Sequence, residues 1–146
     1  MIEQALALAR QFEGLRLKPY LCPAGVPTIG YGSTRDFGGR RITLASPPIT
    51  VAIAEELLIV GMRSCAASVL RLCPTVADSP GRLSALSDFV YNLGAGRLQY
   101  STLKTRVNAR DWNGATHELR RWVHGGGHVL PGLVLRREAE IVLLPA

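Results

Sequence analysis

The run from Val51 to Leu72 constrains this chain most, because it contains no proline and a single glycine, Gly61, and comes directly after Pro47, Pro48 and Thr50. Thr50 is a favourable helix N-cap, and Glu55 and Glu56 fall in the early turns, near the positive end of the helix dipole. One long helix is therefore expected, joining the two halves of the chain on either side of it. Upstream, Ile2, Leu6 with Ala5, Ala9 and Phe12 recur at helical spacing and Gly14 offers a stop, so a short amphipathic helix should end at Glu13. From Tyr20 to Leu44 the character changes to Gly, Pro, Thr and Tyr. Pro23-Ala24-Gly25 reads as a turn and Val26 to Ser33 as a strand, with Arg40 to Leu44 expected to pair with it across Asp36 to Gly39.

Downstream, Leu83, Leu86, Phe89, Val90 and Leu93 form an apolar stripe ending at Gly94. Further helices are expected at Ser101–Ala109, Trp112–Val123 and Pro131–Leu144, separated by Asn108 to Asp111 and by Gly125-Gly126-Gly127. The implied fold class is α+β. A small sheet lobe, about residues 14–48, is joined by a helix over 50–73 to a larger helical lobe over 80–146, all within one domain. The joint between two such lobes is where a cleft forms.

The chain has 146 residues, enough for a substantial core in one domain, and its 47% hydrophobic and 19% charged composition excludes a disordered polymer. Its formal net charge is +6, from 17 Lys and Arg against 11 Asp and Glu. A basic surface attracts polyanions, whether nucleic acid, an anionic membrane or an anionic wall polymer, and charge alone does not choose among them. Cys22, Cys65 and Cys73 are odd in number and lack C-x-x-C spacing, so no disulfide framework or zinc knuckle is indicated. On one helix Cys65 and Cys73 would be roughly 12 Å apart along the axis, too far to bond unless the helix breaks before Pro74. No secretion signal is recognisable in Met1 to Gln11, and no span is long and apolar enough for a membrane anchor.

Hydrolysis of a polysaccharide needs a carboxylic acid that keeps its proton near neutral pH, set opposite a group that activates water or attacks the sugar. Glu13 suits the acid's role. At a helix C-terminus it faces the negative end of the dipole, which disfavours its anion, and burial in a cleft would act in the same direction.

Phe12-Glu13-Gly14-Leu15-Arg16-Leu17-Lys18-Pro19-Tyr20, followed by Gly25-Val26-Pro27-Thr28-Ile29-Gly30-Tyr31-Gly32, resembles the signature of phage-type lysozymes, the endolysins of glycoside hydrolase family 24. The resemblance extends through Asn92-Leu93-Gly94, Ser101-Thr102-Leu103, the region of Trp122 and Gly125 to Gly127, and Gly132-Leu133 with Arg136-Arg137, and so spans nearly the whole chain. It implies a lysozyme-like fold and a muramidase that cleaves the β-1,4 bond between N-acetylmuramic acid and N-acetylglucosamine in peptidoglycan during host lysis. The family's catalytic glutamate, aspartate and threonine fall on Glu13, Cys22 and Thr28. In that scheme Glu13 is the acid, and the other two hold the attacking water for an inverting reaction.

Cysteine in place of aspartate matches a glutamate–cysteine–threonine variant of the family. An ordinary thiol, pKa about 8.5, is only a few per cent ionised at pH 7, where an aspartate of pKa about 3.9 is fully charged. Cys22 can orient water through its sulfur, or its thiolate can attack the anomeric carbon in a retaining route.

Tyr31, Tyr91, Asn92 and Thr102 fall where the family lines its sugar cleft, since aromatic faces stack on pyranose rings and amides bind N-acetyl groups. Arg136 and Arg137 lie near the segment that closes over that cleft, or else on a solvated helix face. His124 and His128 do not make a metal site, because the intervening glycines oppose a helix that would align them and no carboxylate cluster completes the set. No metal or cofactor is expected. The partner is peptidoglycan, met by a monomer, without nucleic acid and without stable membrane insertion. The resemblance places the chain in the host cytoplasm until a holin opens the inner membrane.

Two other classes compete. A cysteine peptidase or amidase built on Cys22 lacks an oxyanion-binding amide at Pro23. A catalytically degenerate module that only binds peptidoglycan conflicts with the presence of Glu13 and Thr28, and no helix-turn-helix supports a DNA-binding alternative.

Overall fold

The computed structural model describes residues 1–145; Ala146, the end of the expected helical lobe, lies outside the described residues. Helix α1 (Glu3–Glu13) ends at Gly14, as its periodicity requires. Its buried Ala5 and Ala9 pack on Leu58 and Met62 of the long helix α2 (Val51–Leu72). Thr50 caps α2, its hydroxyl accepting from the Ile53 amide at 3.2 Å.

Between α1 and α2 lies an antiparallel hairpin, β1 (Arg16–Leu21) and β2 (Pro27–Gly30), with Tyr20 opposite Thr28 and Leu21 opposite Pro27. The strand expected over Val26–Ser33 is cut short. Ile29 and Ser33 exchange backbone hydrogen bonds of 2.9 and 2.8 Å around a tight turn, so the chain reverses after Gly30. The expected partner, Arg40–Leu44, is not a strand, and only an isolated bridge from Arg35 to Arg41 remains there. The true partner, β1, contains Pro19 and has three of its first residues exposed, so it shows no alternating apolar face. A two-stranded sheet has only edge strands, where the missing proline N–H is tolerated. Ile29, Ile42 and Leu57 form the small core that ties the hairpin to α2.

A single 3-10 turn (Pro74–Val76) comes after α2 and leads to α3 (Pro80–Leu93). Cys73 caps the end of α2, and the three cysteines are free thiols. Helix α3 is buried on nearly every face, from Leu83 to Val90, because α1, α2 and later helices surround it. The remaining elements are α4 (Ala95–Gln99), α5 (Thr102–Asn108), α6 (Trp112–Leu119) and α7 (Pro131–Val142). Helix α4 is an element that the sequence pattern does not predict, and α6 stops at Leu119 rather than Val123. In place of an unstructured glycine spacer the chain forms a minute hairpin, β3 (His124–Gly125) with β4 (His128–Val129), turning through Gly126 and Gly127. The main core, centred on Phe89, Leu86, Leu98, Leu103 and Leu119, fills the helical half.

Four ionisable residues are sealed beneath the cleft: Asp88, Arg136, Arg137 and Glu140 are at most 3% exposed. The solvated-face reading of Arg136 and Arg137 is therefore wrong. Helix periodicity marks where a residue lies on its helix, but it does not show which face a neighbouring helix covers. Arg137 Nη2 donates to Asn92 Oδ1 and Glu140 Oε1, both at 2.8 Å, while Glu140 Oε2 has no hydrogen-bond partner among the described residues. Burial pushes the Glu140 carboxyl well above 4.5, and Asp88 adds to this while the Arg137 charge opposes it.

The stability consequence has a definite sign. A carboxyl that binds its proton more tightly folded than unfolded adds stability below the unfolded value near 4.5, and that stability is lost as pH rises toward the folded value. Glu140→Gln keeps an acceptor for Arg137 but cannot ionise. Melting followed by circular dichroism should show its drop in Tm between pH 4.5 and pH 8 smaller than the parent's by roughly 3–6 °C. An identical drop in both proteins would refute a neutral Glu140.

Candidate active site

A cleft of about 730 Å³ opens between the hairpin and the helical half, and Glu13, Cys22, Thr28, Tyr91 and Asn92 all line it. Helix α1 delivers Glu13 as its last residue, and the hairpin delivers the other two of the expected trio. In the hairpin Cys22 N donates to Val26 O at 3.0 Å, which continues the β1–β2 ladder by one step, and Gly25 N closes the turn onto Cys22 O at 2.8 Å. Cys22 therefore stands two residues beyond Tyr20, the partner of Thr28, so both side chains leave the same face as diagonal neighbours.

The Cys22 thiol is lowered in pKa from its ordinary value. The largest cause is the Val26 backbone, followed by partial burial acting in the opposite sense and then by the Ala24 backbone and the Thr28 hydroxyl. Thr28 is buried, and its Oγ1 donates to Val26 O at 2.8 Å, an engagement of its proton under which a hydroxyl oxygen can still accept. Cys65 and Cys73 differ sharply from Cys22, since burial pushes each thiol up to about 11.

Glu13 is held from below by an arginine. Arg136 Nη1 donates to Glu13 Oε2 at 2.7 Å, while its Nε and Nη2 grip Asp88 Oδ2 and Oδ1 at 2.9 and 2.8 Å. The sequence placed Arg136 near the cleft; its contacts with Glu13 and Asp88 appear only in the structure. Arg16 stacks 4.5 Å above the Tyr20 ring, and burial, with the nearby Glu13 carboxylate second, raises the Tyr20 hydroxyl. Tyr20 and Arg16 are thus further cleft residues, visible in the sequence only as parts of the motif.

Asn92 contributes a defined polarity. Its Oδ1 is committed to Arg137, so the amide NH2 remains as a donor for the cleft. Tyr91 donates its hydroxyl to Tyr31 O, and burial raises that hydroxyl strongly. The structure does not bring Tyr31 or Thr102 to the cleft. The Tyr31 ring packs with the α1–α2 cluster and its hydroxyl faces Glu55 and Arg10. Thr102 lies exposed at the start of α5, in a separate depression of about 310 Å³ with Tyr100, Glu118, Arg121 and Trp122.

Gly32 sets the position of the Glu13 carboxylate. Its φ is +78°, and a Cβ there would come within 2.6 Å of Glu13 Oε1 and 2.9 Å of its Cδ. Gly32→Ala should leave the fold intact at a cost of about 1–2 kcal/mol for the left-handed backbone. Because it displaces the carboxylate by an ångström or so, it should cut kcat by about 100-fold. Unchanged kcat would show that this contact does not position Glu13.

The phage lysozyme family model matches residues 10–140. An endolysin of Acyrthosiphon pisum secondary endosymbiont phage 1 is 34% identical over 97% of this chain and 94% of its own length. A SAR-endolysin of bacteriophage PS119 is 38% identical over 88% of this chain and 73% of its own. Among solved structures, an endolysin from Escherichia coli O157:H7 phage FAHEc1 superposes with a TM-score of 0.83 at 30% identity, covering 97% of this chain and 90% of that one. The muramidase domain of SpmX from Asticaccaulis excentricus gives a TM-score of 0.84 at 28% identity, covering 100% and 98%. With a cleft whose walls come from α1, the hairpin and α7, and with a family match over most of its length, this chain belongs to the phage lysozymes.

Proposed function

We propose that this lysozyme hydrolyses the β-1,4 bond between N-acetylmuramic acid and N-acetylglucosamine in peptidoglycan, with Glu13, Cys22 and Thr28 as its catalytic residues. The observation that carries this reading is the convergence of all three on one cleft, with the acid on one wall and the water-handling pair on the other. Glu13 donates its proton to the glycosidic oxygen as the bond to the anomeric carbon breaks. The guanidinium of Arg136 then stabilises the carboxylate that remains. Water attacks from the opposite face, held by Thr28 Oγ1 and the Cys22 sulfur, and loses its proton to the thiolate.

The lowered Cys22 thiol supports both its use as that base and the retaining alternative, in which the sulfur itself forms the bond to the anomeric carbon. Thr28, whose hydroxyl oxygen can still accept beside the sulfur, favours the first. The binding-only alternative draws no support from the family.

The substrate is the glycan strand, met by a single copy of the chain, with no nucleic acid as partner. The net charge of +6 favours adhesion to an anionic envelope. Among the described residues no helix is long and apolar enough to cross a membrane. Accumulation in the host cytoplasm and release through a holin complete the proposal.

Two measurements test it. Turbidity of outer-membrane-permeabilised cells should fall with the wild type, and Glu13→Gln should slow that fall by about 1,000-fold or more, the scale of a lost general acid combined with lost electrostatic stabilisation. Equal lysis by both would remove Glu13 from the mechanism. One equivalent of iodoacetamide at pH 7 should modify Cys22 and spare Cys65 and Cys73, abolishing activity. Full activity with peptide mapping that shows alkylated Cys22 would exclude a role for its sulfur.

A further inference from the structure

Glu140 is fully buried, takes no part in the mechanism above, and has one oxygen that no donor reaches. It follows Arg136 by four residues on α7, so the two side chains leave the same face of the helix. That face packs on α3, which carries Asp88 and Asn92. Arg137 Nη2 supplies Glu140 Oε1 with a hydrogen bond of 2.8 Å, whereas Oε2 receives none among the described residues. The remaining hydrogen-bonding neighbour of Glu140 is another carboxyl group, that of Asp88.

Two ionised carboxylates are acceptors only and cannot bond to each other. The charges around them decide which one carries a proton. Asp88 and Glu13 already balance the two guanidinium groups of Arg136 and Arg137, so an ionised Glu140 would leave this enclosure with an excess negative charge away from water. A proton on Oε2 removes that excess and turns an orphaned acceptor into a donor. The charged groups that face Glu140 are Arg136 and Arg137 on its own helix and Asp88 on α3. Helix α1 also packs on α7, and its Glu13 pairs with Arg136.

Asp88 has room for such a donor. Each of its oxygens accepts one bond from Arg136, and each keeps a further lone pair. We propose that Glu140 is a positioning residue for the reaction: its Oε2 donates a hydrogen to Asp88, which fixes the carboxylate that grips Arg136, and Arg136 in turn holds Glu13 in the cleft. The role rests on the muramidase reading above and names what keeps its acid in place. A competing route leads from Glu140 through Arg137 to Asn92. The two differ in kinetics, because a displaced acid lowers kcat, whereas a displaced cleft amide weakens binding and raises KM.

The test compares the wild type with Glu140→Gln and Glu140→Met on soluble, uncrosslinked glycan strands, with folding checked by circular dichroism. Glutamine retains both bonds, since its oxygen can accept from Arg137 and its amide NH2 can donate to Asp88. Methionine fills a similar volume and offers neither. Glu140→Met should lower kcat by about 10–100-fold at constant KM, the scale of an acid displaced by up to an ångström. Glu140→Gln should restore most of that loss. The infrared difference spectrum of wild type against Glu140→Gln at pH 7 should contain the carbonyl stretch of one protonated carboxyl. If Glu140→Met does not fold, Asp88→Asn breaks the same chain one link nearer the acid and should lower kcat at constant KM.

An unchanged kcat in the variant that folds, or equal losses in Glu140→Gln and Glu140→Met, would overturn the positioning role. A rise in KM at constant kcat would also overturn it, and would assign Glu140 to Asn92. Absence of the protonated-carboxyl band would remove the donor and the proposal with it. Each of these outcomes leaves the muramidase intact. If the wild type cleaves no glycan strand, the muramidase reading fails, and the positioning role fails with it.

Discussion

The site depends on one buried guanidinium. Arg136 reaches from α7 to Asp88 on α3 and to Glu13 at the end of α1, so three helices that are distant in sequence are tied at the Glu13 carboxylate. A charge withdrawn from water is costly unless it is fully paired, and removing one partner of such a pair typically costs about 3–5 kcal/mol. The geometry meets that condition with a two-point grip on one carboxylate and a single bond to the other. The position of Glu13 is therefore a property of the helical half as much as of α1, which explains why the first turns of α7 belong to the wall of a cleft formed at the other end of the chain.

The opposite wall works by different physics. The hairpin is two strands long, with little core beneath it, and its order comes from backbone hydrogen bonds and the small cluster of Ile29, Ile42 and Leu57. Its turn directs backbone groups at the Cys22 sulfur, and this lowers the thiol where burial raises the other two cysteines. The three thiols are chemically identical in the sequence. Backbone groups of a turn around one, and desolvation of the other two, shift their pKa values in opposite directions.

How far each element could be read from the sequence depended on how local its cause was. Helix periodicity and the Thr50 cap located α1, α2, α3 and α7 closely, because a cap and an apolar stripe act within a few residues. Strand pairing was misassigned: Val26–Ser33 carries strand-forming residues, but the turn after Gly30 ends β2, and Pro19 conceals β1. Of the cleft residues proposed from the resemblance, Glu13, Cys22, Thr28, Tyr91 and Asn92 meet in one place. Tyr31 turns its ring toward α1 and α2, and Thr102 opens on another depression. Alternation along a tight turn does not hold, so Tyr31 could not be assigned a face by counting from Thr28.

The sequence by itself determined the α+β class, the long linking helix and the family, and with the family which residues to propose as the acid and its partners. These arise from patterns confined to short windows and from several motifs in a fixed order. Only the tertiary structure decided that Arg136 and Arg137 are buried, that Asp88 and Glu140 share their enclosure, and that Gly32 makes room for the Glu13 carboxylate. Those outcomes depend on which helix covers which face, and burial of a charge is settled by partners from distant parts of the chain.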